Sequence, residues 1–105
     1  MVWQAMCTQE VMAEFNVVHV VDGDTFDVSP GWQWNGNQGN RVRPTGYDAP
    51  EMYEFGGQAA KDWLARLLLN KTVTLGKAYK LDHGRLVCDV FFQGKSLADW
   101  YTADR

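Results

Sequence analysis

The period of apolar positions changes along this chain, and the changes mark its elements. Residues 16–21 are dense in β-branched side chains and run into Asp22-Gly23, a strong turn signal. Residues 25–28 resume the extended pattern, so two strands run continuously around a bend or bulge. Residues 29–40 are rich in Gly, Asn, Pro and Trp and predict a hairpin loop. Residues 41–47 read as the returning strand, with Pro44 demanding an edge position or a bulge because it has no N–H to donate. The period then switches to that of a helix. Ala60, Trp63, Leu64, Leu67 and Leu68 form one stripe over residues 59–69, while Lys61, Asp62, Arg66 and Asn70 fall elsewhere. Gly56-Gly57 precedes this helix and Asn70 closes it. Val73 and Leu75 alternate with Thr72 and Thr74 as a half-buried strand, and residues 85–92 form another after the turn Asp82-His83-Gly84. Gln93-Gly94-Lys95 turns again, and Ser96 can cap a short helix through Tyr101. Residues 1–12 are mixed in composition and read as a leader or an irregular first strand. The order β-β-β-α-β-β-α predicts one domain over residues 1–105. It is mainly β with α: a five-stranded Greek-key barrel of the OB type, with one main helix plugging an end and a short C-terminal helix.

Composition agrees with a folded domain. Of 105 residues 46% are apolar, and five Trp, four Tyr and five Phe supply large side chains for one modest core. Hydrophobicity this high with moderate charge excludes a disordered chain. Ten basic against thirteen acidic residues give a net charge of −3, which argues against tight duplex binding, since affinity for a polyanion comes largely from Lys and Arg displacing counterions. It leaves room for a local basic cleft that handles one phosphate. No stretch approaches the length of a membrane-spanning helix, so no membrane role is expected. No basic n-region with a long apolar run opens the chain, so the expectation is either cytoplasmic residence or secretion with a signal already removed. The two cysteines, Cys7 and Cys88, leave three readings open: two free thiols, one Cys7–Cys88 bridge, or a zinc site with His19 and His83 that lacks the usual close ligand spacing.

Candidate chemistry gathers in three short motifs: Asp22-Gly23-Asp24-Thr25, then Arg43 with Asp48-Ala49-Pro50-Glu51, then His83-Gly84-Arg85. Asp24 and Asp48, placed together, would repel unless a cation or a proton lies between them. A hard divalent ion with irregular oxygen coordination, such as calcium, answers that need. Asp22 lies two residues before Asp24 and on a strand would share its face, as a more distant ligand. The competing reading makes Asp22-Gly23 only a turn and Asp24 a cap. Glu51 follows a stiffening proline and suits a general base, or else a surface loop opening. Arg43 and Arg85 suit bidentate phosphate binding, or else lie along the barrel surface.

Taken together in this order, the motifs resemble the staphylococcal nuclease family of thermonuclease-like domains, over residues 17–100. The resemblance implies an OB barrel with packed helices and calcium-dependent hydrolysis of DNA and RNA phosphodiesters. By the matching motifs, Asp24 and Asp48 would ligate calcium with the Ala49 carbonyl assisting, and Asp22 would lie in the outer shell. Glu51 would be the general base. Arg43 and Arg85 would hold the scissile phosphate while water attacks in line, the 5′-oxygen leaves and a 3′-phosphate is released. The substrate would be single-stranded DNA or RNA.

Departures from the family pattern carry further expectations. Ala49 stands where the best-known member has threonine, and His83 where it has a tyrosine near the nucleotide. His83 is therefore a candidate substrate contact, with an exposed turn histidine as the alternative. The loop before the main helix is short and lacks a basic stretch. Trp32 and Trp34, in a longer loop, are candidates for a base-stacking platform, or else pack on a neighbouring strand. The family's third helix is expected to be missing, which would expose apolar surface near Trp100 and Tyr101 and allow a homodimer there. The other functional class is a catalytically weak or inactive OB-fold module that binds nucleic acid or protein.

Overall fold

The structure, a computed structural model, describes residues 13–103. Its elements in chain order are β1 (Ala13–Asp22), β2 (Thr25–Trp34), β3 (Asn37–Pro44), α1 (Gly57–Leu68), β4 (Thr72–Asp82), β5 (Arg85–Phe92), β6 (Lys95–Ser96) and α2 (Leu97–Ala103). The strands run in the order β3-β2-β1-β4-β5-β6, and a parallel β3–β5 pairing closes the sheet on itself. The result is an OB-like barrel of five long strands with β6 added on β5. Closure removes the open edges that a sheet this small would otherwise present.

Alternation along the strands sorts core from surface. Val17, Val20, Phe26, Val28, Val42, Val73, Leu75, Leu86, Cys88 and Val90 fill the interior. Trp63, Leu64 and Leu68 of α1 pack on them as the apolar stripe requires, while Asp62 and Arg66 face solvent. Asn70 closes α1 with a positive φ of 64° and donates its backbone N–H to the Val17 carbonyl, tying the helix end to β1.

Boundaries differ from the sequence reading where turn chemistry is compact. The hairpin loop expected at 29–40 is instead two paired strands. Trp32 faces Gly39 and Trp34 faces Asn37, and only Asn35-Gly36 turns, at φ of 49° and 79°. Positive φ at both central residues is the two-residue turn that matches strand twist. The ladder is interrupted between Asp27 and Trp32, where Pro30 has no N–H to give. Pro44 ends β3 opposite Cys88, so its lost donor falls at a strand end. α1 begins at Gly57, two residues earlier than residue 59, because Gly56 enters it in the left-handed conformation at φ 88°. Ser96 accepts from the Asp99 N–H and caps α2.

Two further expectations are corrected. Trp100 and Tyr101 do not form an exposed apolar face. Trp100 donates Nε1–H to the Phe92 carbonyl at 2.9 Å and lies under the Lys95 ammonium, and Tyr101 stacks on Tyr47 at 4.5 Å. Trp32 offers no stacking face, because it is buried and donates its indole N–H to the Arg41 carbonyl. Trp34 is half-buried and packs against the core. Cys88 is a buried free thiol in β5, and Cys7 lies outside the described residues, as does the leader or first strand expected over residues 1–12. Among the described residues no helix is long and apolar enough to cross a membrane.

Candidate active site

Strand register brings the three motifs to one outer patch of the barrel. Across β2–β3, Phe26 pairs with Val42 in the core and Asp27 with Arg41 outside it. Alternation therefore puts Thr25 and Arg43 on the outer side of their strands. Across β3–β5, Val42 pairs with Leu86 and Arg43 with Val87, so Arg85 shares that outer side. Residues from β2, β3 and β5 meet there, although 60 positions separate Thr25 from Arg85.

Hydrogen bonds join them into one chain. The Arg43 Nη2 donates to Asp24 Oδ2 at 3.3 Å and also to Asp48 Oδ1. The Thr25 hydroxyl donates to Asp24 Oδ1 at 3.4 Å and accepts from Arg85 Nη1 at 3.2 Å. Arg85 is aimed by Asp82, whose carboxylate accepts from Nη2 at 2.8 Å and whose carbonyl accepts from Nε at 3.2 Å. The pair holds the Asp82 carboxyl below its usual range, with a smaller contribution from His83.

Asp24 is the buried centre, with only 3% of its surface exposed. Burial pushes its carboxyl above the usual carboxylate range, and the neighbouring Asp22 carboxyl adds to this; the Ala49 N–H and Arg43 oppose it. Asp22 also accepts from the Asp24 N–H at 3.1 Å, so one of its oxygens shapes the turn. Ala49 meets Asp24 through its N–H at 3.3 Å.

Close packing fixes these parts. A Cβ on Gly23 would lie 2.6 Å from the Cβ atoms of both Ala49 and Ala60, so glycine lets the turn, the 48–49 segment and α1 touch. Tyr47 donates its hydroxyl to the Gly23 carbonyl at 3.0 Å and packs among Trp63 and Tyr101. Burial, then the charge of Asp24, raises the Tyr47 hydroxyl far above its usual range. Glu51 is held by its backbone: its N–H donates to Glu54 Oε1 at 2.7 Å and its carbonyl accepts from the Glu54 N–H at 2.8 Å. A Cβ on Gly57 would come within 2.0 Å of the Glu51 carbonyl oxygen. The Glu51 side chain is exposed.

Asp24, Asp48, Arg43 and Arg85 thus share one hydrogen-bonded chain with Thr25. Glu51 lies on the loop that leaves Asp48, with its backbone anchored and its carboxylate in solvent. His83 stands in the exposed turn beside Arg85, its Nδ1 2.7 Å from Asp82 Oδ1. With His19, Asp27, Asn40 and Arg41 it lines an open groove beside the patch. In that groove Arg41 grips Asp27 through two nitrogens, at 2.9 and 3.2 Å, and this pairing with His19 lowers the Asp27 carboxyl. Thr25, Tyr47 and Asp82 have positioning roles that the sequence reading did not assign. Only the Asp82-to-Arg85 spacing on a tight turn carried a local signal.

The donor set bears on a metal. Among the described residues no group of three or more His, Cys, Asp and Glu is placed to hold a metal ion, which removes His19, His83 and Cys88 as joint zinc ligands. Two carboxylate oxygens, from Asp24 and Asp48, nevertheless converge on one cationic nitrogen of Arg43. Burial, with the neighbouring Asp22 carboxyl, raises the Asp24 carboxyl even beside Arg43. Two carboxylates could hold a hard divalent cation only where backbone carbonyls and water complete its shell, since the described side chains supply no all-protein cage.

No protein-family model matches the chain. Curated relatives named "Uncharacterized endonuclease", from Escherichia coli O157:H7 and from Escherichia coli, are each 29% identical over 89 residues, covering 85% of this chain and 53% of the relative. The chain spans about half the length of the curated relatives it matches.

Proposed function

We propose that this chain is a nuclease that hydrolyses phosphodiesters of single-stranded DNA or RNA, with calcium as cofactor. The observation that carries this reading is the convergence of Asp24 and Asp48 on Arg43, joined through Thr25 to Arg85. The name of the curated relatives supports a nuclease in general.

Asp24 and Asp48 would hold the ion, with the Ala49 carbonyl assisting and Asp22 behind. When bound, calcium would neutralise phosphate charge and make a coordinated water more acidic. Arg43 leaves the carboxylates for a non-bridging phosphate oxygen, and Arg85, aimed by Asp82 and Thr25, donates to another. Their fixed positive charge meets the charge that grows as the phosphorus becomes five-coordinate. Glu51 takes the proton from the attacking water. The bond from phosphorus to the 5′-oxygen breaks, that oxygen takes a proton from solvent water and leaves as the 5′-hydroxyl of the downstream nucleotide, and a 3′-phosphate remains on the other fragment. The rate of single-stranded DNA hydrolysis should rise and saturate with added calcium, and Asp24→Asn should abolish the rise in a protein that still folds. A rate indifferent to both calcium and that substitution would overturn the reading.

A second reading is a non-catalytic OB module that binds nucleic acid or protein. It is favoured by the carboxylate partners that both site arginines already have, Asp24 and Asp48 for Arg43 and Asp82 for Arg85. Strand binding without turnover in calcium would select it.

A further inference from the structure

The loop that carries Glu51 continues into the most exposed aromatic side chains among the described residues. Tyr53 is 87% exposed and Phe55 fully so, with Met52 between Glu51 and Tyr53 also open to solvent. Exposed apolar side chains that cluster, as Met52, Tyr53 and Phe55 do within one four-residue stretch, mark a contact site more than scattered ones do. This loop is also built. Glu51 and Glu54 hydrogen-bond each other's backbone, the Gly57 N–H donates to the Glu54 carbonyl at 3.0 Å, and glycine at 57 lets α1 sit against the Glu51 carbonyl. Tyr53 and Phe55 are therefore presented by an anchored turn.

The geometry points to Tyr53 and Phe55 as a stacking contact for unpaired nucleobases of the strand whose phosphate is held at Arg43 and Arg85. This inference rests on the nucleic-acid reading of that site. Three observations select the occupant. Consecutive Cα atoms are 3.8 Å apart, so the Tyr53 backbone lies within about 7.6 Å of that of Glu51, in reach of a nucleotide next to the reacting phosphate. Glu51 precedes the aromatics and Glu54 lies between them, and their charge disfavours an anionic lipid surface or a phosphate on this turn. The chain carries a net charge of −3 and its two site arginines have carboxylate partners, so counterion release gives little grip on a strand. Base stacking supplies affinity that does not depend on phosphate charge and tolerates any sequence. The buried Trp32 leaves that role open, and the exposed aromatics beside Glu51 can fill it.

The test compares a fluorescent oligothymidylate with an abasic strand of equal length, bound in chelator so that no turnover intervenes. The Tyr53→Ser/Phe55→Ser double variant should bind the thymidylate about tenfold or more weaker, at low and at high salt. Its binding of the abasic strand and its melting temperature should be unchanged. Tyr53→Trp should retain affinity, and its indole fluorescence should be quenched by the thymidylate. Equal loss on both strands, no loss on either, or no binding of thymidylate by the parent protein each overturns the inference. So does a parent dimer, seen by sedimentation, that the double variant dissolves without change in strand affinity. Calcium-dependent cleavage by the parent protein is scored separately: if it persists while the stacking result fails, the nuclease reading stands and only this contact is lost.

Discussion

Arg85 on β5 donates to the Thr25 hydroxyl on β2 at 3.2 Å, and through it the far end of the chain is wired to Asp24. Removing that hydroxyl while keeping the shape takes one partner from the buried Asp24 carboxylate and one from the half-buried Arg85 guanidinium. Thr25→Val should cost about 1–3 kcal/mol in a urea unfolding titration. It should also slow cleavage, because Arg85 then keeps only Asp82 to aim it. Unchanged stability together with an unchanged rate would mean that the hydroxyl joins nothing of consequence.

Arg43 and Arg85 are expected to act on the transition state. Arg43→Ala and Arg85→Ala should each lower the turnover rate by about 10³-fold or more, in line with arginines that meet phosphoryl charge. Lysine at either position should recover little, since a point charge cannot make the bidentate fork. The measurement is single-turnover cleavage of a labelled oligonucleotide. Lysine variants at full rate would show that only charge is needed. Glu51→Ala should cost about 10²–10⁴-fold, the usual worth of a general base.

Gly57 reverses an ordinary propensity rule. Alanine normally favours a helix over glycine by about 0.5–1 kcal/mol. Here its Cβ would press to 2.0 Å from the Glu51 carbonyl oxygen, so Gly57→Ala should lower the melting temperature and displace Glu51. A rise in melting temperature with full activity would contradict the contact.

Alkaline pH should loosen the barrel by a definite route. Burial pushes the Cys88 thiol up to about 12 from an ordinary 9.0. A group raised in the folded state binds its proton more tightly there than in the unfolded chain. Its contribution is complete below pH 9 and drains away as pH climbs from about 9 to about 12. Tyr47 is shifted in the same direction. The unfolding midpoint in urea should fall over that window, and less steeply in Cys88→Ala. In a Cys7→Ser background, the remaining thiol should react with an aromatic disulfide reagent at pH 8 only once the protein unfolds. Fast reaction in the folded state would contradict its burial.

Much of the fold was legible in the sequence because its signals are local. The stripe from Ala60 to Leu68 lies on one face of α1, and the β-branched run before Asp22 lies in β1. Over 29–40 composition and residue order point to different structures. Asn35-Gly36 is a two-residue turn signal, yet neighbouring Gly, Pro and Trp made the whole stretch look like loop. Trp32 shows the same limit: only the register with Gly39 and the bond to the Arg41 carbonyl reveal that it is buried. At the candidate site, residue types could be named from their motifs, but convergence could not. The bond from Arg85 to Thr25 depends on β3 pairing with β5, a closure that no local pattern announces. Asp82 and Tyr47 were overlooked because they act through another group, one aiming a guanidinium and the other holding the Gly23 carbonyl.

The most direct measurement is the fate of an end-labelled single-stranded oligonucleotide incubated with the purified protein, in calcium and in chelator. The account predicts fragments ending in 3′-phosphate with calcium and an intact strand without it. A strand that stays whole in both, or is cut equally well in chelator, would contradict it.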